Sequence, residues 1–299
     1  MERREVKLNG NVYLVDESSS AALIKKGRIG RRRKYRVPSK VAINGVEYTI
    51  DGIDYGAYRR NKTIRHLIIP DTITHLDEDA FRTMPNLRSA HIGKGVKIIQ
   101  MWNFGDCRRL QSLTISKENL HLQVRDGLVL SKDGKMLYTS LFDRRHYDIP
   151  DGVETVNQIA FWHNQRLESI SFPSSLRIVG DNSFSFLPRL RKLVLPEGLE
   201  KISTQCFQMC ENLEYVDLPS TLKQLDTQVF WGCKSLKKVI VRSNTILRMF
   251  ICKRIVFSTE VDVYAPDNLL KLYQPVVEYY ENLYPISKLK NDNFRYDNI

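Results

Sequence analysis

Six histidines, five cysteines and one acidic triplet are the residues of this chain with the most capacity for chemistry. Metal binding needs several such donors converging on one point. Cys206 and Cys210 offer two thiols with no histidine close by in sequence. His66, His75, His91, His121, His146 and His163 are scattered and show no sign of converging. Asp77, Glu78 and Asp79 adjoin one another, which reads as a polar turn; a calcium site is the lesser reading. The nucleophile elbow GxSxG, the zincin HExxH, the phosphate loop and GxGxxG do not occur. The chain is therefore not read as an enzyme, and no catalytic residue, metal or cofactor is expected.

Charge offers a different chemistry. The net charge is +12, and residues 1–40 carry twelve Lys/Arg against four Asp/Glu. The excess centres on KKGRIGRRRKYR (25–36), with Lys25, Lys26, Arg28, Arg31, Arg32, Arg33, Lys34 and Arg36. Such a run binds phosphates by counterion release, or anionic surfaces in general. No groove helix, stacking sheet or zinc finger accompanies it, as a specific nucleic-acid module would require. A solvated loop in an N-terminal cap is the first reading. Binding of nucleic acid or another polyanion is the alternative.

The elements that must position these residues are set by a repeat. Phe81 and Phe104 are 23 residues apart, and Phe161, Phe184, Phe207 and Phe230 keep that interval. Pro150, Pro173, Pro196 and Pro219 keep the same beat. A fixed period of this length marks a solenoid, whose units each bury an apolar face only by stacking on their neighbours. Each unit closes on an alternation such as Leu167, Ile170 and Phe172 with Ser169 and Ser171 between them, a short half-buried strand. Proline then stops the ladder, having no N–H to donate. A second apolar pair, such as Val153 and Val156, seats the return stretch. The phenylalanine plugs the space between the layers, and burying each ring contributes roughly 1.5–3 kcal/mol.

These units resemble the BspA-type leucine-rich repeat, L-x-x-I-x-I-P-x-x-V-x-x-I-x-x-x-A-F-x-x-C. Ile64, Leu87, Leu110, Leu167, Leu190, Leu213 and Leu236 fill its leading slot. Ala80-Phe81, Ala160-Phe161, Cys206-Phe207 with Cys210, and Val229-Phe230 with Cys233 fill its A-F-x-x-C element, as do Asn103-Phe104 with Cys107 and Ser183-Phe184. Met84, Asn164 and Leu187 replace the last cysteine, so that slot reads as structural. The resemblance spans about residues 37 to 275. It implies a mainly β leucine-rich-repeat solenoid that binds rather than catalyses, with adhesion or host contact if the chain is exported.

The parts outside the repeat read as caps and one insert. Residues 1–52 form a β-type N-terminal cap with β-like pieces at 12–15, 35–38, 41–45 and 46–50, and a hairpin at Asn44-Gly45. Residues 53–241 form the solenoid, with a β-hairpin insert at about 119–147 turning at Lys132-Asp133-Gly134. Residues 242–299 form a C-terminal cap with a strand from Val261 to Pro266, then a short helix beginning near Asp267 or Asn268 and ended or kinked by Pro275. Tyr273, Tyr279, Tyr280 and Tyr284 are expected to seal the last repeat. One continuous domain and a monomer are expected.

Stacked units turn alternate strand residues outward. The expected face is His66 and Ile68, Ser89 and His91, Ser112 and Thr114, Ser169 and Ser171, Lys192 and Val194, Tyr215 and Asp217, Lys238 and Ile240. Tyr215, Val194 and Ile240 are the expected anchors. The partner on this face is an unidentified protein or glycan. No apolar run is long enough to span a membrane. MERREVKLNGNVYLV lacks the apolar segment of a secretory signal, so the chain stays inside the cell unless a leader was removed.

Overall fold

The computed structural model describes residues 3–99, 101–244, 261–277 and 283–289. The chain folds as a mainly β solenoid in two compact units, residues 1–142 and 143–299.

Unit 1 opens with a mixed sheet. Its strands run in the spatial order Arg4–Leu8, Asn11–Asp16, Ala21–Lys26, Val46–Ile53, Lys40–Ile43, and His75–Leu76 adds in parallel to Val46–Ile53. Asn44 and Gly45 both sit at positive φ, as the expected hairpin requires. Asn9 and Gly10 form an equivalent turn between Leu8 and Asn11. Arg4–Leu8 and Ala21–Lys26 were not legible as strands. Charge in the first and alanine in the second lower their intrinsic β preference, and the sheet overrides it.

The second sheet of unit 1 is parallel. It runs Lys34–Arg36, His66–Ile69, Ser89–Ile92, Ser112–Ile115. The insert forms the expected hairpin, Leu128–Ser131 against Met136–Ser140. It also gains a third strand, Leu122–Arg125, through an Asp126-Gly127 turn at positive φ.

In unit 2, His146–Asp148 pairs with Ser169–Ser171. Lys192–Val194, Tyr215–Leu218 and Lys238–Val241 form a parallel sheet one repeat apart. A second row, Thr155–Val156, Ile178–Val179, Lys201–Ile202 and Gln224–Leu225, carries the return stretches. The sheet extends past the repeat, because Asp262–Ala265 and Leu283–Pro285 add in parallel. The helix Leu270–Val277 follows a short 3-10 turn, Asp267–Leu269. Asp267 does not cap it; its carboxylate accepts the backbone N–H and hydroxyl of Ser287 instead. Pro275 lies inside the helix. Tyr273 is fully buried and Tyr264 stacks on Tyr284, whereas Tyr279 and Tyr280 lie outside the described residues.

The phenylalanines stack. In unit 1, Tyr58 lies 5.3 Å from Phe81 with rings 2° from parallel, and Phe81 lies 5.6 Å from Phe104. In unit 2, Phe161, Phe184, Phe207 and Phe230 follow at 4.8, 5.4 and 5.8 Å. Each stack begins with an edge-on tyrosine from the middle of a first strand: Tyr35 on Tyr58, Tyr147 on Phe161.

Left-handed residues flank most of these rings two positions to either side. Asp79 and Thr83 bracket Phe81, and Ile159 and His163 bracket Phe161. Asn182 and Phe186 bracket Phe184, and Gln205 and Met209 bracket Phe207. A non-glycine residue there carries a steric cost. The stack holds it in place: the N–H groups of His163, Phe186 and Met209 donate to Ser185, Gln208 and Trp231, one turn on, at 3.0, 2.8 and 2.7 Å.

Candidate interaction surface

The strand face of unit 1 has two outward columns. Lys34, His66, Ser89 and Ser112 form one; Arg36, Ile68, His91 and Thr114 form the other. The His66 ring nitrogen Nδ1 lies 2.8 Å from the Ser89 hydroxyl, and that of His91 lies 3.0 Å from Thr114. Each histidine thus bonds a hydroxyl on the next turn. His66 and His91 sit on neighbouring strands, so they are less scattered than their positions in the sequence suggest.

The basic run 25–36 is not a plain loop. Lys25 and Lys26 end one strand, and Lys34–Arg36 forms the first strand of the parallel sheet. Lys25 pairs with Glu5 at 2.6 Å, and the backbone N–H of Arg28 is held by Asn11 at 2.6 Å. Arg31, Arg32 and Arg33 stand exposed beside Lys34. An open recess of about 560 Å³ lies nearby, lined by Glu5, Lys25, Lys26, Tyr58, Arg59 and Arg60.

The strand face of unit 2 differs. His146 bonds the Ser169 hydroxyl at 2.7 Å and Asp148 at 2.9 Å, and that bond holds the Asp148 carboxyl below its ordinary range. Ser169 and Ser171 are exposed, and Val194 is 47% exposed. The Lys192 ammonium sits 5.4 Å from the Tyr215 ring, and the Tyr215 hydroxyl donates to Asp217 at 3.2 Å.

Two expected outward positions are corrected. Ile240 is only 2% exposed and provides no anchor. Its neighbour on the added strand is Tyr264, whose ring also lies 5.3 Å from the Lys238 ammonium. Asp217 is 9% exposed, and Arg242 holds it with two hydrogen bonds of 2.7 and 2.8 Å. Arg242, which sequence reasoning passed over, closes that end of the face.

The cysteine slot is structural. Cys107, Cys210 and Cys233 donate to the carbonyls of Phe81, Phe184 and Phe207 at 3.3, 3.2 and 3.3 Å. Burial pushes the thiols of Cys107 and Cys210 up to about 12. Among the described residues, no three His, Cys, Asp or Glu side chains gather as a metal site.

A model of the BspA type leucine rich repeat region matches residues 44–124 and 136–250, in 6 copies. The chain belongs to the BspA-type leucine-rich repeat family. In this family member the matched residues include the six stacked phenylalanines and Cys107, Cys210 and Cys233. A leucine-rich repeat protein from Bacteroides ovatus shares the fold with a TM-score of 0.54 at 20% identity, over 87% of this chain and 70% of that one. The pneumococcal vaccine antigen PcpA aligns over 95% of this chain and 98% of its own at 15% identity and a TM-score of 0.48. No curated protein matches. No helix among the described residues is long and apolar enough to cross a membrane.

Proposed function

We propose that this BspA-type repeat chain is a non-catalytic interaction module that holds a protein or glycan partner on its strand faces, with adhesion as the role if the chain is exported. The observation that carries this reading is the small polar face of unit 1. Ser89, Ser112 and Thr114 let a partner approach the sheet closely, while His66 and His91 add ring nitrogens that bond hydroxyls. Val194 supplies an exposed apolar contact in unit 2, at 47% exposure.

A second reading is polyanion binding through residues 25–36. The placement of Lys34 and Arg36 on the outward columns favours it. The two readings then share one surface.

The test is steric. Immobilised glycans and extracellular-matrix proteins are screened with the parent and with Ser112→Trp and Ser169→Trp. A ligand lost by a tryptophan variant that melts like the parent supports the face. Ligands retained by both variants place recognition elsewhere.

A further inference from the structure

One column just before the strands differs in kind between the two units. In unit 2 it reads Arg145, Glu168, Arg191, Glu214, Lys237. The charges alternate in sign, and the column partly neutralises itself. Arg145 and Arg189 reach Glu168 at 3.8 and 3.4 Å, and Lys237 reaches Glu214 at 3.9 Å.

In unit 1 the equivalent column reads Arg33, Arg65, Arg88, Gln111. The backbone fixes the equivalence. The N–H groups of Arg65, Arg88 and Gln111 each donate to the carbonyl one turn back, at 2.7, 2.8 and 2.9 Å, as those of Glu168, Glu214 and Lys237 do in unit 2. Adjacent members are therefore about one strand spacing apart, ~4.8 Å. Among the described residues, no carboxylate pairs with Arg33, Arg65 or Arg88. Like charges on adjacent strands are destabilising. The imbalance extends to the whole unit: residues 1–142 carry 26 Lys/Arg against 15 Asp/Glu, whereas residues 143–299 carry 20 against 19.

We propose that unit 1 binds an anionic polysaccharide along Arg33, Arg65 and Arg88, a proposal that rests on the interaction-module reading above. The guanidinium column takes the sulfates or carboxylates of the sugar chain, since Arg presents a planar fork of donors to such groups. The strand face beside it takes the hydroxyls, through Ser89, Ser112, Thr114 and the rings of His66 and His91. The neighbouring surface favours a sugar over other polyanions. Single-stranded nucleic acid is held by exposed stacking aromatics beside the charge, and protein interfaces by buried apolar anchors. The outward columns of this sheet carry no Phe, Tyr or Trp, and Ile68 is their one apolar member.

The test uses the full chain and a size-defined heparin oligosaccharide, with polygalacturonate, single-stranded DNA and poly-glutamate as comparators. The variants are Arg33→Gln/Arg65→Gln/Arg88→Gln, which installs the residue found at 111, and the matched Arg145→Gln/Arg191→Gln/Lys237→Gln. The expected result is a tenfold or greater loss of affinity for heparin or polygalacturonate in the first variant and under twofold in the second. The salt slope of log Kd should also fall by about 1 for each ionic contact removed. Equal losses in both variants overturn the proposal, as does tighter binding of DNA or poly-glutamate, or no binding of any polyanion. At low salt the first variant should melt at or above the parent; a lower melting temperature overturns the like-charge premise. Ser112→Trp separates the two ideas. If it abolishes binding that the arginine variant retains, the column is wrong and the strand face stands. If only the arginine variant loses binding, the column stands and the strand face is wrong.

Discussion

The Cys210 thiol donates to the carbonyl of Phe184, 3.2 Å away and one turn earlier. The contact joins the two most regular features of the repeat, its sulfur slot and its ring stack. Cys107 and Cys233 make the same bond to Phe81 and Phe207. A buried donor left without a partner costs about 1–3 kcal/mol, so the slot tolerates Met84 and Leu187, which carry no such donor.

These thiols should be inert. The thiolate is the reactive form, and burial raises Cys107 and Cys210 to about 12 while Cys206 and Cys233 are also raised. At pH 8 the native protein should leave all four unlabelled by a thiol reagent over an hour, and denaturant should expose them at once. Rapid native labelling at any of the four, located by peptide mapping, would contradict this.

Phe184→Ala opens a cavity between Phe161 and Phe207. Its ring is fully buried and stacked on both sides. The expected cost is about 3–5 kcal/mol, read as a fall in the denaturation midpoint. An unchanged midpoint would show that the stack does not hold unit 2 together.

Arg242→Ala should destabilise by about 1–3 kcal/mol, because it strips two charge-assisted hydrogen bonds from a nearly buried carboxylate. Arg242→Ala/Asp217→Asn should recover part of that loss, since the stranded charge is then gone. A double variant no more stable than the single would mean that the arginine acts through packing alone.

Acid should weaken the fold in a defined window. Hydrogen bonds from Ser18 lower Asp16 to about 2, and bonds from Ser131, His146 and Lys223 lower Asp133, Asp148 and Glu200. A carboxyl whose folded pKa is depressed stabilises above its unfolded value and loses that contribution as pH falls through the folded one. The melting temperature should therefore fall from about pH 4 towards pH 2, and do so less steeply in Asp16→Asn/Asp133→Asn. Identical slopes would remove these groups from the acid response.

Much of the fold was legible because it repeats. A phenylalanine at a constant interval must occupy one layer, and alternation around Ile170 or Leu193 must form a strand, since each is forced by the period itself. Turn chemistry was legible at Asn44-Gly45 and Asp133-Gly134 for a local reason: Asn44, Gly45 and Gly134 sit at positive φ, which their residue types accept. Ile159, Thr83 and Phe186 reach the same region with no such signal, because the hydrogen bonds of the adjoining turns hold them there.

The candidate surface was legible only in outline. Outward positions followed from alternation, but exposure depended on what lies beside them. Ile240 was lost to the face because Asp262–Ala265, readable as a strand ahead of Pro266, pairs in parallel beside it, and no period sets that partner.

The sequence by itself determined the repeat, the buried ring in each turn and the net positive charge, since these need only composition and spacing. Tertiary structure alone decided that Lys34 aligns with His66 off the 23-residue beat, and so that Arg33 joins Arg65 and Arg88 in one column of a single sign. The physical reason is parallel pairing: it joins residues a whole turn apart, and no local preference specifies which distant side chains become neighbours.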